Sequence, residues 1–278
     1  MSDMEQNTND RTALDRTVLE RTASVKTASD SRELPRGRVR LSLRLQAVAD
    51  FVEQGSRIAD IGTDHGYVPI YLAQTGRAVS AIAMDVRRGP LERAAEHIRE
   101  YGEREGQSFS CPVKTRLSDG LKALEPGEAD TVIIAGMGGE LEIRILEEGR
   151  HVWDSVKHWI LSPQSDLHKV RLYLEENGFV IMDETMVRDE GKYYTIMSVA
   201  RGTMKYSRPT WYRYGKIPIG RKDCILKEYL DREAVRVQGI LETLNGRGTD
   251  HATEGQKKAA EALTDEWNLI KEAQDEMQ

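Results

Sequence analysis

The sequence predicts an α/β fold in which helices cover both faces of a parallel β-sheet, with a strand hairpin closing the sheet and a helical hairpin at the C-terminus. Three observations carry this. From residue 40 onward, short apolar runs alternate with longer amphipathic stretches, as strands alternate with the helices that cover them. Two apolar-rich runs, 179–187 and 193–200, then follow each other directly across the polar turn Arg188-Asp189-Glu190-Gly191. Beyond Gly202, two further stretches carry apolar residues at helical spacing.

Taken in order, residues 1–37 read as a disordered tail. Their loose repeat (Arg11-Thr12, Arg16-Thr17, Arg21-Thr22, Lys26-Thr27) places no stripe on one helix face, and too few large apolar residues are present to offset the entropy of ordering. Leu41, Leu45, Val48 and Val52 then recur at helical spacing, and Gly55 ends that helix. Five strands are expected at 58–61, 79–84, 113–117, 131–135 and 159–161, with covering helices such as 91–101 and 167–176. In the last region, Leu226, Leu230, Val237, Ile240 and Leu244 form one helical stripe. Ala259, Leu263, Ile270 and Ala273 form a second beyond Asn245-Gly246-Arg247-Gly248. This helical hairpin reads equally as a packing or dimerisation element. The expected domains are the tail 1–37, a sheet domain 38–203 and an α-helical domain 204–278.

Composition narrows the function classes. No run approaches the roughly 18 apolar residues of a membrane span. The polar, acidic start lacks the basic and apolar segments of a secretory signal. The two cysteines, Cys111 and Cys224, are far apart in unlike contexts, which suggests reduced thiols in a cytoplasm and no zinc site or other metal requirement. A net charge of −6 means that any nucleic-acid contact must come from a local basic patch. Residues 205–222 supply one: Lys205, Arg208, Arg213, Lys216, Arg221 and Lys222, with no acid among them and Tyr206, Trp211, Tyr212 and Tyr214 interleaved. The same stretch also reads as a connector whose aromatics pack against the sheet domain.

The strongest chemical signal is Ile58-Ala59-Asp60-Ile61-Gly62-Thr63-Asp64-His65-Gly66. A strand ends in an acid, and Gly62 and Gly66 let the backbone approach a ligand ahead of the next helix. A dinucleotide dehydrogenase would carry Gly-x-Gly-x-x-Gly here. Carboxylates at 60 and 64 instead repel a pyrophosphate and suit the ammonium and sulfonium of S-adenosyl-L-methionine. Asp85, followed by Val86, ends the second strand, where a carboxylate accepts ribose hydroxyls. Asp119, followed by Gly120, comes after the third, where it can hold an adenine amino group. Each of these two acids alone reads as a helix cap or turn residue. Three at successive strand ends read as a rim. The fourth strand leads into Ala135-Gly136-Met137-Gly138-Gly139, a glycine turn that either exposes amides to a substrate or simply starts a helix.

Together these blocks resemble the bacterial tRNA (adenine(22)-N(1))-methyltransferase family. The resemblance rests on Leu41-Ser42-x-Arg44-Leu45, Ala59 through Pro69, Ala135 through Gly139, Pro163-Gln164-Ser165, Val170-Arg171-x-x-Leu174, Glu184-x-Met186-Val187 and Gly191-Lys192-Tyr193-Tyr194. It spans about 40–244. Ser162 stands where the family is expected to have Gln, and the Thr/Arg tail is no family feature. The resemblance implies a Rossmann-like class I methyltransferase domain whose final strand is antiparallel. It also implies S-adenosyl-L-methionine as methyl donor and N1 of a tRNA adenine as acceptor. The expected cofactor contacts are Asp60, Gly62, Thr63, Asp64, Gly66, Asp85, Val86, Asp119, Gly120, Ala135 and Gly136. Asp64 and His65 are the catalytic candidates, His65 reading equally as a satisfied turn histidine. The expected substrate contacts are Arg44, Met137, Gly138, Lys192, Arg213, Lys216 and Arg221, in a monomer or weak dimer. Two other classes stay open: a non-catalytic RNA-binding scaffold on the same fold, and an NAD-dependent oxidoreductase, which the missing glycine motif disfavours.

Overall fold

The computed structural model describes residues 38–103, 109–246 and 253–278. The tail predicted over 1–37 and the end of the turn after Gly246 lie outside these. After α1 (Leu43–Asp50), the chain runs β1 (Ser56–Ile61), α2 (Tyr67–Gln74), β2 (Ala78–Asp85), α3 (Arg88–Glu103) and β3 (Val113–Leu117). It continues β4 (Thr131–Ala135), α4 (Gly139–Glu148), β5 (His158–Ser162), α5 (Leu167–Glu176), β6 (Phe179–Asp189) and β7 (Lys192–Arg201). The last helices are α6 (Pro209–Tyr214), α7 (Lys216–Gly220), α8 (Cys224–Gly246) and α9 (Glu254–Glu276).

The seven strands form one sheet in the order β3-β2-β1-β4-β5-β7-β6. β1 pairs parallel with both β2 and β4, and β5 pairs parallel with β4, whereas β7 runs antiparallel to β5 and β6. All five parallel strands and the closing hairpin stand where the sequence predicts them. The hairpin turn is tighter than expected: Arg188, Asp189 and Lys192 belong to the strands, and only Glu190 (φ +47°) and Gly191 (φ +78°) turn. Positive φ at both positions matches the twist of the flanking strands.

Side-chain alternation sorts the core onto two faces. Ala59, Ile61, Val132, Ile134, Trp159 and Leu161 pack with Ile145 and Leu146 of α4 and with Val170 and Leu174 of α5. Ile58, Ile133 and Ile160 point the other way, against Val48, Ala49 and Val52 near α1 and Leu72 and Ala73 of α2. The neighbours on each strand are thus buried on opposite faces, which is why these runs are apolar throughout and do not alternate.

A third core joins the C-terminal helices to the strand hairpin. Leu226, Leu230, Val237, Ile270 and Ala273 are buried with Met186 of β6 and Tyr214 of α6. Each of the larger side chains contributes on the order of 2 kcal/mol by burial, so α8 and α9 are held to the sheet domain by packing and not by charge alone. Gly37–Gln278 accordingly forms one compact unit. The start of α9 carries a capping box in which Thr253 and Gln256 satisfy each other's backbone N–H groups.

The joint is a buried ion pair. Arg171 of α5 and Glu184 of β6 are each about 1% exposed. Arg171 Nε and Nη2 both donate to Glu184 Oε1, the first at 3.1 Å, while Nη1 donates to the backbone carbonyls of Tyr212 and Arg213 at 2.7 and 3.0 Å. Burial pushes the Glu184 carboxyl above its ordinary value, and the Arg171 charge offsets this only in part. Glu184 Oε2, without a partner, faces Gly215; a Cβ there would come within 2.3 Å of it, so position 215 requires glycine. Arg171→Met is expected to destabilise the fold by about 3–5 kcal/mol through the orphaned Glu184. The double variant Arg171→Met/Glu184→Leu is expected to recover most of that loss in denaturant melts, because it leaves no buried charge behind.

Candidate functional site

Where strand order reverses between β1 and β4, the connections leave to opposite sides and a crevice opens at the carboxyl edge of the sheet. The turns after β1 and β4 face each other across it. Gly62 (φ +74°) and Thr63 both donate backbone N–H bonds to Met84 O, which folds the turn under β2. A Cβ on Gly62 would lie 2.0 Å from Met137 Cε. Gly136 (φ +88°) has the same relation to Arg44: a Cβ there would stand 3.0 Å from Nη1 and 3.8 Å from Gln164 Nε2. Glycine at 62 and 136 is what allows Met137 and Arg44 into the crevice.

Asp60, at 8% exposure, is the buried anion of this crevice. Burial pushes its carboxyl up to about 6, the neighbouring Thr63 hydroxyl restrains the rise, and the charge of Asp85 adds to it. The Thr63 hydroxyl is itself buried and makes no well-formed hydrogen bond. Asp85, 7% exposed, ends β2 and accepts the Arg87 backbone N–H at 2.7 Å. Val86 beside it is 59% exposed, an apolar surface on the rim. Two buried carboxylates with an unsatisfied hydroxyl between glycine turns make a cradle for a cation bearing hydroxyls. That acceptor-rich set fits the ammonium and ribose of S-adenosyl-L-methionine and does not fit a pyrophosphate.

The other predicted residues divide. Asp119 is half exposed and paired with Lys122 at 2.6 Å and Arg144 at 3.7 Å; the Lys122 hydrogen bond leads in holding its carboxyl below the ordinary value. Gly120 (φ +61°) packs against Ile145. Asp64 is exposed on the lip, 3.4 Å from His65 Nε2 and 3.6 Å from Arg93. His65 takes a left-handed φ of +62°, and its ring stacks on Tyr67 and His97, with centroids 5.5 and 5.4 Å away. Gly66 lies against Ala94 of α3, which explains its need for a missing Cβ. Ala135 and Gly136 border the crevice at the end of β4, where Gly136 donates its N–H to Ser162 O at 3.2 Å.

Arg44 is placed at the mouth although it comes from α1, far away in sequence. Its backbone N–H donates to Asp189 Oδ2 of the hairpin tip at 3.1 Å, its guanidinium lies 5.1 Å from the Tyr194 ring centre, and Nη1 is buried without a partner. The glycine turn meets the 163–166 loop directly: Gln164 N–H donates to Met137 O at 2.7 Å, and a Cβ on Gly139 would stand 2.5 Å from Ser165 O. Gly138 caps α4 beside Ser165.

The basic stretch is largely tied up within the chain. Arg213 pairs with Glu266 at 3.5 Å and Arg221 with Asp183 at 2.5 Å, whereas Lys216 sits 4.9 Å over the Trp211 ring. Tyr206 and Tyr214 are buried, Trp211 Nε1 donates to Glu276, and Tyr212 donates to Glu175 Oε2 at 2.8 Å. Its aromatics clamp α5 to α9. Lys192 is exposed at the hairpin tip. Sequence reasoning gave no site role to Gln164, which stands next to Arg44, or to Tyr194 beneath it.

A methyltransferase-domain family profile matches residues 41–197. The curated tRNA (adenine(22)-N(1))-methyltransferase of Bacillus subtilis (strain 168) is 30% identical over 242 residues, covering 85% of this chain and 98% of the relative. The chain belongs to the tRNA (adenine(22)-N(1))-methyltransferase family. The crystal structure of the B. subtilis m1A22 tRNA methyltransferase TrmK superposes with a TM-score of 0.72 at 29% identity, over 84% of this chain and 99% of that one. Streptococcus pneumoniae Sp1610 in complex with S-adenosyl-L-methionine gives a TM-score of 0.72 at 33% identity and the same coverage. Membership explains why the blocks at 59–69, 135–139 and 163–165 meet at one crevice. No helix among the described residues is long and apolar enough to cross a membrane.

The buried anion is testable without a ligand. Because the folded Asp60 carboxyl titrates at about 6, above its ordinary 3.8, the stability it contributes is full below 3.8 and is lost as pH rises through 6. Asp60→Asn is therefore expected to stabilise the chain at pH 8 by on the order of 2–3 kcal/mol. It should leave the melting temperature nearly unchanged at pH 3.5, as thermal scans at the two pH values would record.

Proposed function

We propose that this chain transfers a methyl group from S-adenosyl-L-methionine to N1 of an adenine in tRNA, at position 22 by its family, in the cytoplasm. The observation that carries the reading is the pairing, across one crevice, of the buried Asp60–Thr63–Asp85 cradle with the Arg44–Gln164–Gly136 mouth. When bound, S-adenosyl-L-methionine supplies an electrophilic methyl on a sulfonium, so the protein's task is alignment and charge support. Asp60 holds the ammonium and Asp85 the ribose hydroxyls. Val86 offers an apolar face to the adenine ring. Asp119, whose carboxylate has about four acceptor sites, can receive the adenine amino group beside its two existing pairs.

On the acceptor side, Arg44, Met137, Gly138 and Gln164 surround the place where a base leaving its stack would enter. Asp64 and His65 are read as the groups that hold the base edge or take up its proton. The exposed carboxylate of Asp64 favours it over His65, whose ring is held by Tyr67 and His97. Lys192 and Lys216 supply phosphate contacts, being exposed cations with no carboxylate partner among the described residues. Arg213 and Arg221 add to that face while serving internal pairs.

Incubation with radiolabelled methyl donor and total tRNA, followed by nucleoside mapping, is expected to yield 1-methyladenosine; label on another nucleoside, or none, would refute the assignment. Asp60→Asn is expected to abolish binding of S-adenosylhomocysteine in calorimetry. In the parent protein that affinity should weaken as pH drops through 6, since only the ionised carboxylate holds the ammonium. Lys192→Glu/Lys216→Glu is expected to weaken tRNA binding about tenfold and to lower the salt slope by about 2, with cofactor affinity intact.

A further inference from the structure

A cleft of about 270 Å³ opens on the opposite face of β7 from the Arg44 mouth. Its walls are the 163–167 loop, Tyr193 and Thr195 of β7, Tyr214 of α6 and Tyr229 of α8, with Arg213 at its edge and Arg171 in its floor. Successive strand residues point to opposite faces. Tyr194 therefore lies under Arg44 in the mouth, while Tyr193 and Thr195 face the cleft. Gln164 belongs to both, standing beside Gly136 and Arg44 on one side and lining the cleft on the other. The two spaces are adjoining chambers divided by one loop and one strand.

The chemistry of the second chamber is specific. Tyr193 and Tyr229 meet edge to face at 5.2 Å and Tyr229 and Tyr214 at 6.5 Å, so ring edges and faces line it. Tyr193 is fixed by donating its hydroxyl to Glu228 at 2.8 Å. Thr195, Gln164 and Ser165 add polar groups, Asp166 adds a carboxylate paired with Lys169, and Arg213 brings to the rim a charge that it shares with Glu266. Aromatic walls and a few hydrogen-bonding groups suit an unpaired nucleoside. The volume lies below the roughly 300–1,000 Å³ of pockets for larger ligands.

We propose that this cleft binds the nucleoside adjoining the target adenine, so that two neighbouring bases leave the RNA stack and are held on either side of the Gln164 loop. The proposal rests on the tRNA-methylating reading above and adds to it a subsite for sequence and structural context, built jointly by the sheet domain and the C-terminal helices.

The test uses the full chain and a tRNA transcript carrying 2-aminopurine in place of the nucleoside on either side of the target adenine. With one of the two, binding is expected to change the fluorescence as the base moves into the cleft. Tyr229→Leu, which keeps apolar packing but removes the ring, should abolish that change and raise KM for tRNA about tenfold. It should leave kcat and S-adenosylhomocysteine affinity within twofold. Tyr229→Phe should restore both the signal and KM. No fluorescence change at either flank in the parent protein, or an unaltered KM in Tyr229→Leu, overturns the subsite while methylation of parent tRNA still upholds the activity. If Tyr229→Leu lowers its melting temperature and cofactor affinity together, the isosteric Thr195→Val, at a residue that lines the cleft and not the mouth, is read in the same way. If the parent protein methylates no tRNA, the underlying reading itself has failed.

Discussion

Everything functional in this chain follows from one topological constraint. β1 must feed a connection to β2 on one side and accept β4 on the other, so the sheet cannot be closed over at its carboxyl edge between them. The gap is lined by backbone that has just left β1 and β4, at Gly62 and Gly136. Both residues take left-handed conformations that release space for neighbours. The same gap collects side chains from α1, β2, β7 and the loop after β5, elements that are remote in sequence.

Much of this fold was legible because the central strands β1, β4 and β5 are buried on both faces. Residues 131–135 were bounded correctly since the apolar run and the strand are the same object, whereas the edge strand at 113–117 was marked only by Val113 and Leu117 at its two ends. The helices α6 and α7 were not legible. Six and five residues long, they show no period, and Gly215 between them owes its place to Glu184, thirty-one positions earlier. The acids of the rim were readable from their positions at strand ends. Their environments were not: nothing local distinguishes the buried Asp60 from the ion-paired Asp119.

The same limit explains the basic stretch. A run of cations without acids looks like a phosphate patch, but its partners Asp183, Glu266 and Glu276 lie elsewhere in the chain. Glu142 makes the point in reverse. It resembles Glu140 as a first-turn acid of α4, yet it is fully buried with both carboxyl oxygens unpartnered, and burial holds its carboxyl well above the ordinary range. Its neutral form is the one compatible with that position. Helical period marks which face is inward and says nothing of which inward residue is polar.

The buried arginine of α5 ties three remote pieces of chain into one rigid corner: a helix that begins at the loop beside the crevice, the strand that ends in the hairpin tip, and the peptide leading to the terminal helices. None of the three can shift alone without stranding a buried carboxylate or a carbonyl that Arg171 now satisfies, so the guanidinium sets the angle at which the terminal helices leave the sheet.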